Sequence, residues 1–296
     1  GDYSKRRLGE LMTGKALDGK RYRSARPGTT PLLEVRGLTR APAFSEVSLQ
    51  VARGEILGIT GLADSGRNEV ALALAGVRPA DTGEIAMAGR SVRIRRPNDA
   101  IASGIGYVPE DRLVEGLFLD KPIVRNIVAL VLDRLRVGLA PRPGQAPRPG
   151  LAAVPGLGVL GGVSATRARD LANRLVEQLK IATPDVDLPV QSLSGGNQQR
   201  VLIGRWLTIE PALLILHGPT VGVDVGSKDT IYRVIQSLAE KGMGLIVISD
   251  DLPELQQNCD RILVMRQGRI AAAFAPDVSE QVLYEAMLAT APVPAR

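Results

Sequence analysis

Apolar and polar residues alternate in LLEVRGL, residues 32–38, and again in SEVSLQV, residues 45–51, as in two short strands with one covered face and one open face. GEILGITG then reads as a strand. A glycine-containing loop and the helical run EVALALAG follow it, giving the order strand, phosphate-type loop, helix. GEIAMAGRSVRI has a strand-and-turn pattern, GIGYVPEDR comes after it, and Pro122 to Val137 shows helical periodicity with alternating charge. Between Gly138 and Val163 periodicity vanishes and APRPG occurs twice. Proline removes N–H donors and glycine raises the entropy of ordering, so no fixed structure is expected there. Helix resumes in TRARDLANRLVEQLKI, where Leu171, Leu175 and Leu179 share a face. After LSGGNQQRVLIGRWL, a capped helix, come the strand ALLIL, a helix from about Ser227 to Lys241, the strand GLIVIS, a short helix DLPELQQN, the strand RILVM and the hairpin-like RQGRIAAAF. One short helical stretch follows Pro276, and the terminal APVPAR is expected to fray. Strands alternating with helices predict an α/β fold around a parallel, mostly buried sheet.

Bulk properties narrow this picture only a little. The 296 residues allow one large domain or two ordinary ones. Aromatics are only 3% of the chain, so its core is aliphatic. A single cysteine, Cys259, excludes a disulfide framework and fits a reducing compartment. The net charge of +6 is a local feature: residues 1–40 hold ten Lys/Arg against four Asp/Glu, and the remainder holds 27 of each sign. That stretch reads as a solvated basic linker, and nucleic acid is not expected as a partner. No N-terminal run is apolar enough for a signal peptide, and no other stretch predicts a membrane span. The chain starts at Gly1 instead of Met and is expected to be a piece of a longer protein.

Candidate chemistry begins at GLADSGRN, residues 61–68, which fits G-x-x-x-x-G-K-[ST] at Gly61 and Gly66 and departs from it at both functional side chains. The glycines, with Ser65 between them, keep a backbone cradle for phosphate. Arg67 keeps the positive charge on a planar group that fits the loop poorly, Asn68 replaces the hydroxyl that would hold Mg²⁺, and Asp64 adds a negative charge. The strand ALLIL normally hands over to acids in a phosphate-transfer site, but here His217 and Gly218 follow it. Ser194 of LSGGNQQ is placed as an N-cap, and Gly195 and Gly196 let the backbone approach a ligand at the positive end of a helix, an arrangement that reads anions. Within that helix Gly204 is expected to cost roughly 1 kcal/mol relative to Ala.

Several of these strings, in this order, resemble the ATP-binding subunits of ABC transporters over roughly residues 32–275: the loop at 61–68, YVPEDR at 107–112, LSGGNQQ at 193–199, PTVGVDVGS at 219–227 and ISDDLPE at 248–254. GYVPEDRLVEGLFLD, the NQQ of the signature and GVDVGSK are similar to the ribose, galactose and xylose importers of that family, whose ATPase subunit is two halves in tandem. SKRRLGELMTG resembles the end of a first half. The resemblance therefore implies a second half, with the end of a preceding half plus a basic linker at 1–30, a nucleotide-binding domain at 31–276 and a C-terminal tail at 277–296. That domain would have a mostly parallel core sheet, an N-terminal antiparallel β subdomain, a helical subdomain at about 112–208 carrying the signature, and the Pro/Gly insertion at about 138–163.

Residue by residue, the resemblance implies that Ser194, Gly195, Gly196, Asn197 and Gln198 face ATP held on another half, with Asp224 in the D-loop. Gly61, Ser65, Gly66, Arg67 and Asn68 would form the chain's own degenerate phosphate loop. Glu110 stands where the Q-loop glutamine would be, His217 where the Mg²⁺-associated Asp would be, Gly218 where the catalytic Glu would be and Asp250 where the switch His would be. No catalytic set is intact, and HGP in place of an acid pair counts against Mg²⁺ in the chain's own site. The expected cofactor is ATP at the shared interface. Expected partners are a competent nucleotide-binding half, membrane permease subunits and, indirectly, a periplasmic sugar-binding protein, with the chain peripheral on the cytoplasmic face of the membrane. Two other readings stay open: a slow autonomous ATPase homodimer, and a soluble ABC module with no role in transport.

Overall fold

The computed structural model describes residues 28–135 and 162–289. Apart from their edges, the basic stretch expected at 1–30, the Pro/Gly insertion and the terminal APVPAR lie outside the described residues. Among the described residues the chain runs β1 (Pro31–Arg40), β2 (Phe44–Ala52), β3 (Ile56–Gly61), α1 (Arg67–Leu74), β4 (Thr82–Met87), β5 (Arg90–Val92), α2 (Pro97–Ala102) and β6 (Ile105–Val108). A π-helical turn (Arg112–Gly116) leads to α3 (Ile123–Val128), α4 (Leu132–Leu135), α5 (Ala165–Gln178) and α6 (Gly195–Leu207). The chain continues through β7 (Leu213–His217), α7 (Val225–Glu240), β8 (Gly244–Ile248), α8 (Leu252–Asn258), β9 (Arg261–Arg266), β10 (Arg269–Phe274) and α9 (Glu280–Leu288).

The strands form two sheets. One is four-stranded and antiparallel, in the order β2-β1-β4-β5; the other is six-stranded, in the order β10-β9-β3-β8-β7-β6. In the larger sheet β9, β3, β8, β7 and β6 are mutually parallel and only the edge strand β10 is antiparallel. The parallel strands β3, β7 and β8 are buried at every position, which is why ALLIL and GLIVIS read as continuous apolar runs while β1 and β2 alternate.

Two apolar clusters lie on the two faces of the six-stranded sheet. Leu213 and Ile215 of β7, Ile246 and Ile248 of β8 and the α1 residues Val70, Ala71 and Leu74 belong to one, together with the antiparallel sheet. Leu214 and Leu216, Leu245 and Val247, and Val201, Leu202 and Ile203 of α6 belong to the other. The helix predicted from Pro122 to Val137 is broken: α3 and α4 are separate short helices. Asn126 is fully buried in α3, where its carboxamide oxygen accepts from Phe118 N and from Arg205 Nη2 at 2.9 and 2.7 Å. Burial lowers the Arg205 guanidinium to about 10, and its hydrogen bonds to the carbonyls of Asn126 and Gly116 fasten α6 to the turn that precedes α3. At Gly204 a methyl would stand 3.0 Å from Leu179, so the helix penalty expected there accompanies close packing. The tail expected at 277–296 is anchored where it is described: Leu283, Ala286 and Met287 of α9 are buried in the second cluster.

Candidate functional site

The phosphate loop sits at the tip of β3 and opens α1. Gly66 is the N-cap residue, in the left-handed region at φ 87°, and a β-carbon there would come within 2.6 Å of the Ala43 carbonyl. A glycine cap has no side chain, so the first-turn amides of α1 are left uncapped. Arg67 is 8% exposed, and its Nη2 reaches only to 4.0 Å from Asp250 Oδ2, a carboxylate that is itself 80% exposed. Ser65 is buried, and both Ser65 Oγ and Asn68 Oδ1 lack a hydrogen-bond partner among the described residues.

Glu110, His217 and Gly218 come together in one place, and Asp250 stands near Arg67. His217, at the end of β7, is 7% exposed; its Nε2 lies 3.2 Å from Glu110 Oε2 and its Nδ1 lies 3.2 Å from the Tyr107 hydroxyl. Its pKa is held below 6.5: burial is the largest cause and Arg67 adds to it, while Glu110, Glu115 and Glu69 pull the other way. A neutral imidazole suits both contacts: Nδ1 accepts from Tyr107, whose phenol burial keeps protonated, and Nε2 lies toward the Glu110 carboxylate. The hydrogen bond to Tyr107 and the burial give His217 a structural role at the strand end. Gly218 follows with φ +54°, its amide donating to Ile248 O at 2.8 Å. A β-carbon on Gly218 would stand 2.9 Å from Val221 and 3.0 Å from Glu110, so the backbone and its neighbours both disfavour a larger residue.

The signature opens α6. Ser194 is the N-cap residue by backbone conformation, yet its hydroxyl makes no capping bond; it accepts from Asn197 Nδ2 at 2.9 Å instead. The structure thereby divides the set of residues that sequence placed toward a ligand. Asn197 turns inward, its Oδ1 taking Ala182 N and Arg200 Nη2, both at 2.8 Å, and Gln198 Nε2 donates to Leu193 O at 3.1 Å. Ser194 stays exposed, Gly195 is half-buried, and a methyl on Gly196 would overlap Ser227 of α7. What remains open is the Ser194 hydroxyl and the first-turn amides. Asp224 caps α7, accepting from Ser227 N at 2.9 Å, and hydrogen bonds from Ser227 lower its pKa.

Two residues of YVPEDR have partners that its sequence does not disclose. Tyr107 holds His217, and the Arg112 guanidinium donates to the carbonyls of Val221 and Gly222 at 2.7 and 3.0 Å, beside Gly195. Arg112 thus joins the start of the helical part, the D-loop and the signature. A second unforeseen cluster lies behind the D-loop: Glu254 accepts from Thr220 Oγ1 at 2.5 Å, Lys228 Nζ at 2.5 Å and Tyr232 OH at 2.9 Å.

Strand, glycine loop and helix with a second helix tip presented beside the D-loop define an ATP-binding cassette. The ABC transporter family model matches residues 44–221, and the chain belongs to that family. It is 42% identical over 265 residues to the ribose import ATP-binding protein RbsA 3 of Rubrobacter xylanophilus, covering 90% of this chain and 49% of that protein. It is 40% identical over 262 residues to a putative ribose/galactose/methyl galactoside import ATP-binding protein of Agrobacterium fabrum, covering 88% of this chain and 47% of that one. The chain therefore spans about half the length of the curated relatives it matches. Among solved structures, a nucleotide-free ATP-binding cassette from an ABC transporter superposes with a TM-score of 0.67 at 20% identity, over 85% of this chain and 93% of that one, which shows the shared fold. No helix among the described residues is long and apolar enough to cross a membrane.

Proposed function

We propose that this chain is the second, non-hydrolysing nucleotide-binding half of a sugar-import ATPase, and that it presents its signature to ATP held on a competent half. The observation that carries the reading is the contrast between two helix tips. At α6 the Ser194 hydroxyl and the first-turn amides are open beside an intact D-loop. At α1 the first-turn amides are uncapped too, but the side chains that the chemistry would need are missing: His217 faces Glu110 at 3.2 Å, Asn68 stands in for the hydroxyl, and Gly218 stands where a general base would. His217 does not make up the loss, because its Nδ1 lone pair is engaged by Tyr107; this counts against the autonomous-homodimer reading. The residues at the strand ends also fit Mg²⁺ poorly: the neutral amide of Asn68 replaces a hydroxyl, His217 and Gly218 follow β7 in place of acids, and Glu110 lies 3.2 Å from His217.

In this reading residues 31–276 are the cassette, 112–208 its helical part and 277–296 the tail. The stretch 1–30 links it to a preceding half, in keeping with relatives about twice as long. Those relatives are named as import proteins, which supports permease subunits and a sugar-binding protein as further partners and a peripheral location on the cytoplasmic face. The exposed Leu113, Val114 and Phe118, on and just after the π-helical turn, offer an apolar face for the permease.

Mixing tests the proposal. The isolated chain is expected to turn over Mg-ATP far below roughly 1 per second, and a competent half added to it is expected to restore turnover. Ser194→Glu in this chain should then cut the mixed rate by roughly 10²- to 10³-fold, as loss of one preorganised phosphate donor does. Ordinary turnover by the isolated chain, or a mixed rate indifferent to Ser194→Glu, sinks it.

A further inference from the structure

The phosphate loop holds a concentration of buried polar groups with nothing to bind. Thr60 Oγ1, Ser65 Oγ, Arg67 Nε and Nη1 and Asn68 Oδ1 are all buried without a hydrogen-bond partner among the described residues. Thr60 is 0%, Ser65 1% and Arg67 8% exposed, so none of them faces bulk solvent. A buried guanidinium with open donors is costly unless an anion meets it. Asp250 does not serve: at 4.0 Å and 80% exposed it is a weak, screened neighbour. The uncapped amides of α1 point the same way, since the helix tip favours negative charge. A half-turn of the Asn68 carboxamide puts an N–H donor where its oxygen now stands.

The same residues lack what a metal complex needs. Strand β7 offers no acid to receive a divalent ion, and Asn68 offers an amide where the motif has the hydroxyl that would hold Mg²⁺. We infer that this loop binds a polyphosphate without a divalent cation, the metal-free triphosphate of a nucleotide being the ligand class, with Arg67 supplying the charge that the metal would otherwise bring. Asp64, Glu69 and Asp250 oppose the anion, so the guanidinium decides the affinity. Free Mg²⁺ would compete with the guanidinium for the phosphate charge, and β7 has no acid that would hold the magnesium complex in return. This concerns the chain's own loop and is independent of whether its signature serves another half. Failure here leaves the role in trans to the mixing experiment.

The test is calorimetric titration of the 296-residue chain at pH 7.5 with ATP and with inorganic triphosphate, in EDTA and in excess Mg²⁺. Both ligands are expected to bind, and to bind at least about tenfold more tightly in EDTA, since each 1.4 kcal/mol of disfavour is a decade in affinity. Arg67→Ala should weaken binding roughly 30-fold or more, the loss that follows removal of one member of a buried charge pair, and Arg67→Lys should recover part of it. His217→Asp, which frees Glu110 and adds an acid at the strand end, should shift the preference toward the magnesium complex. Ligand-free melting curves establish that the variants fold, and the wild-type comparison decides the matter even if one does not. Binding that requires Mg²⁺, binding of ATP without triphosphate, or no binding in EDTA overturns the inference.

Discussion

At the residue scale the decisive side chain is His217, because one buried imidazole closes the end of β7. Burial, aided by Arg67, holds its pKa below 6.5, and the neutral ring fits between Tyr107 and Glu110. The unfolded chain therefore takes up the proton before the folded one does. The stability this neutral ring contributes is intact above about 6.5 and is lost as pH falls from there through the folded value. Urea midpoints are expected to drop between pH 7.5 and the mildly acidic range in the wild type and to drop less in His217→Asn. The chain contains one histidine, so a single imidazole resonance reports the titration directly, and a midpoint at or above 6.5 would contradict the assignment.

At the element scale the signature helix owes its position to two close approaches. Gly196 lies against Ser227 at the start of α7, and Arg112 bridges from the π-helical turn to the D-loop carbonyls beside Gly195. Gly196→Ala should destabilise the protein by about 1–3 kcal/mol, the usual cost of overpacking, because the added methyl overlaps Ser227. Ser227→Gly in the same chain should recover much of that in a urea series, and a non-additive pair would locate the contact. These contacts mark the limit of what the sequence discloses. The strands, the phosphate loop and the capped helix were legible because each has a local pattern: alternation, a continuous apolar run, glycines at fixed spacing. The short helix α2 and the strand β6 were not assigned, since Pro97–Ala102 and Ile105–Val108 are too brief to show a period. The partners of Arg112, Tyr107 and Glu254 escaped for another reason: each lies in a different element with no local pattern to link them, Tyr107 and His217 at 110 residues apart and Glu254 at 22 to 34 residues from Tyr232, Lys228 and Thr220. Sequence placed Asn197 and Gln198 toward a ligand, but a motif string does not say which of its side chains turns inward, and theirs are bonded to their own chain.

At the scale of the whole molecule the two helix tips stand on opposite faces of one sheet. The cradle helix α1 packs in the cluster containing Leu213 and Ile215, and α6 packs in the cluster containing Leu214 and Leu216. Successive residues of β7 thus belong to different cores, and the strand cannot lose one face without losing the other. A cavity on either side should accordingly weaken the whole sheet. Ile215→Ala removes packing beneath the cradle, whereas Trp206, the one tryptophan, reports from the signature side, partly buried against the other cluster. If the sheet couples the faces, Ile215→Ala costs about 2–5 kcal/mol and moves the tryptophan-fluorescence midpoint as far as the far-UV circular dichroism midpoint. Separate midpoints, with fluorescence unmoved, would mean that the two halves of the core unfold independently. Coincidence matters beyond stability: under the proposed role, in which the α6 tip serves a nucleotide held elsewhere, that tip must keep its bearing on the D-loop whatever occupies the chain's own loop, and a strand buried in both cores is the element that fixes it.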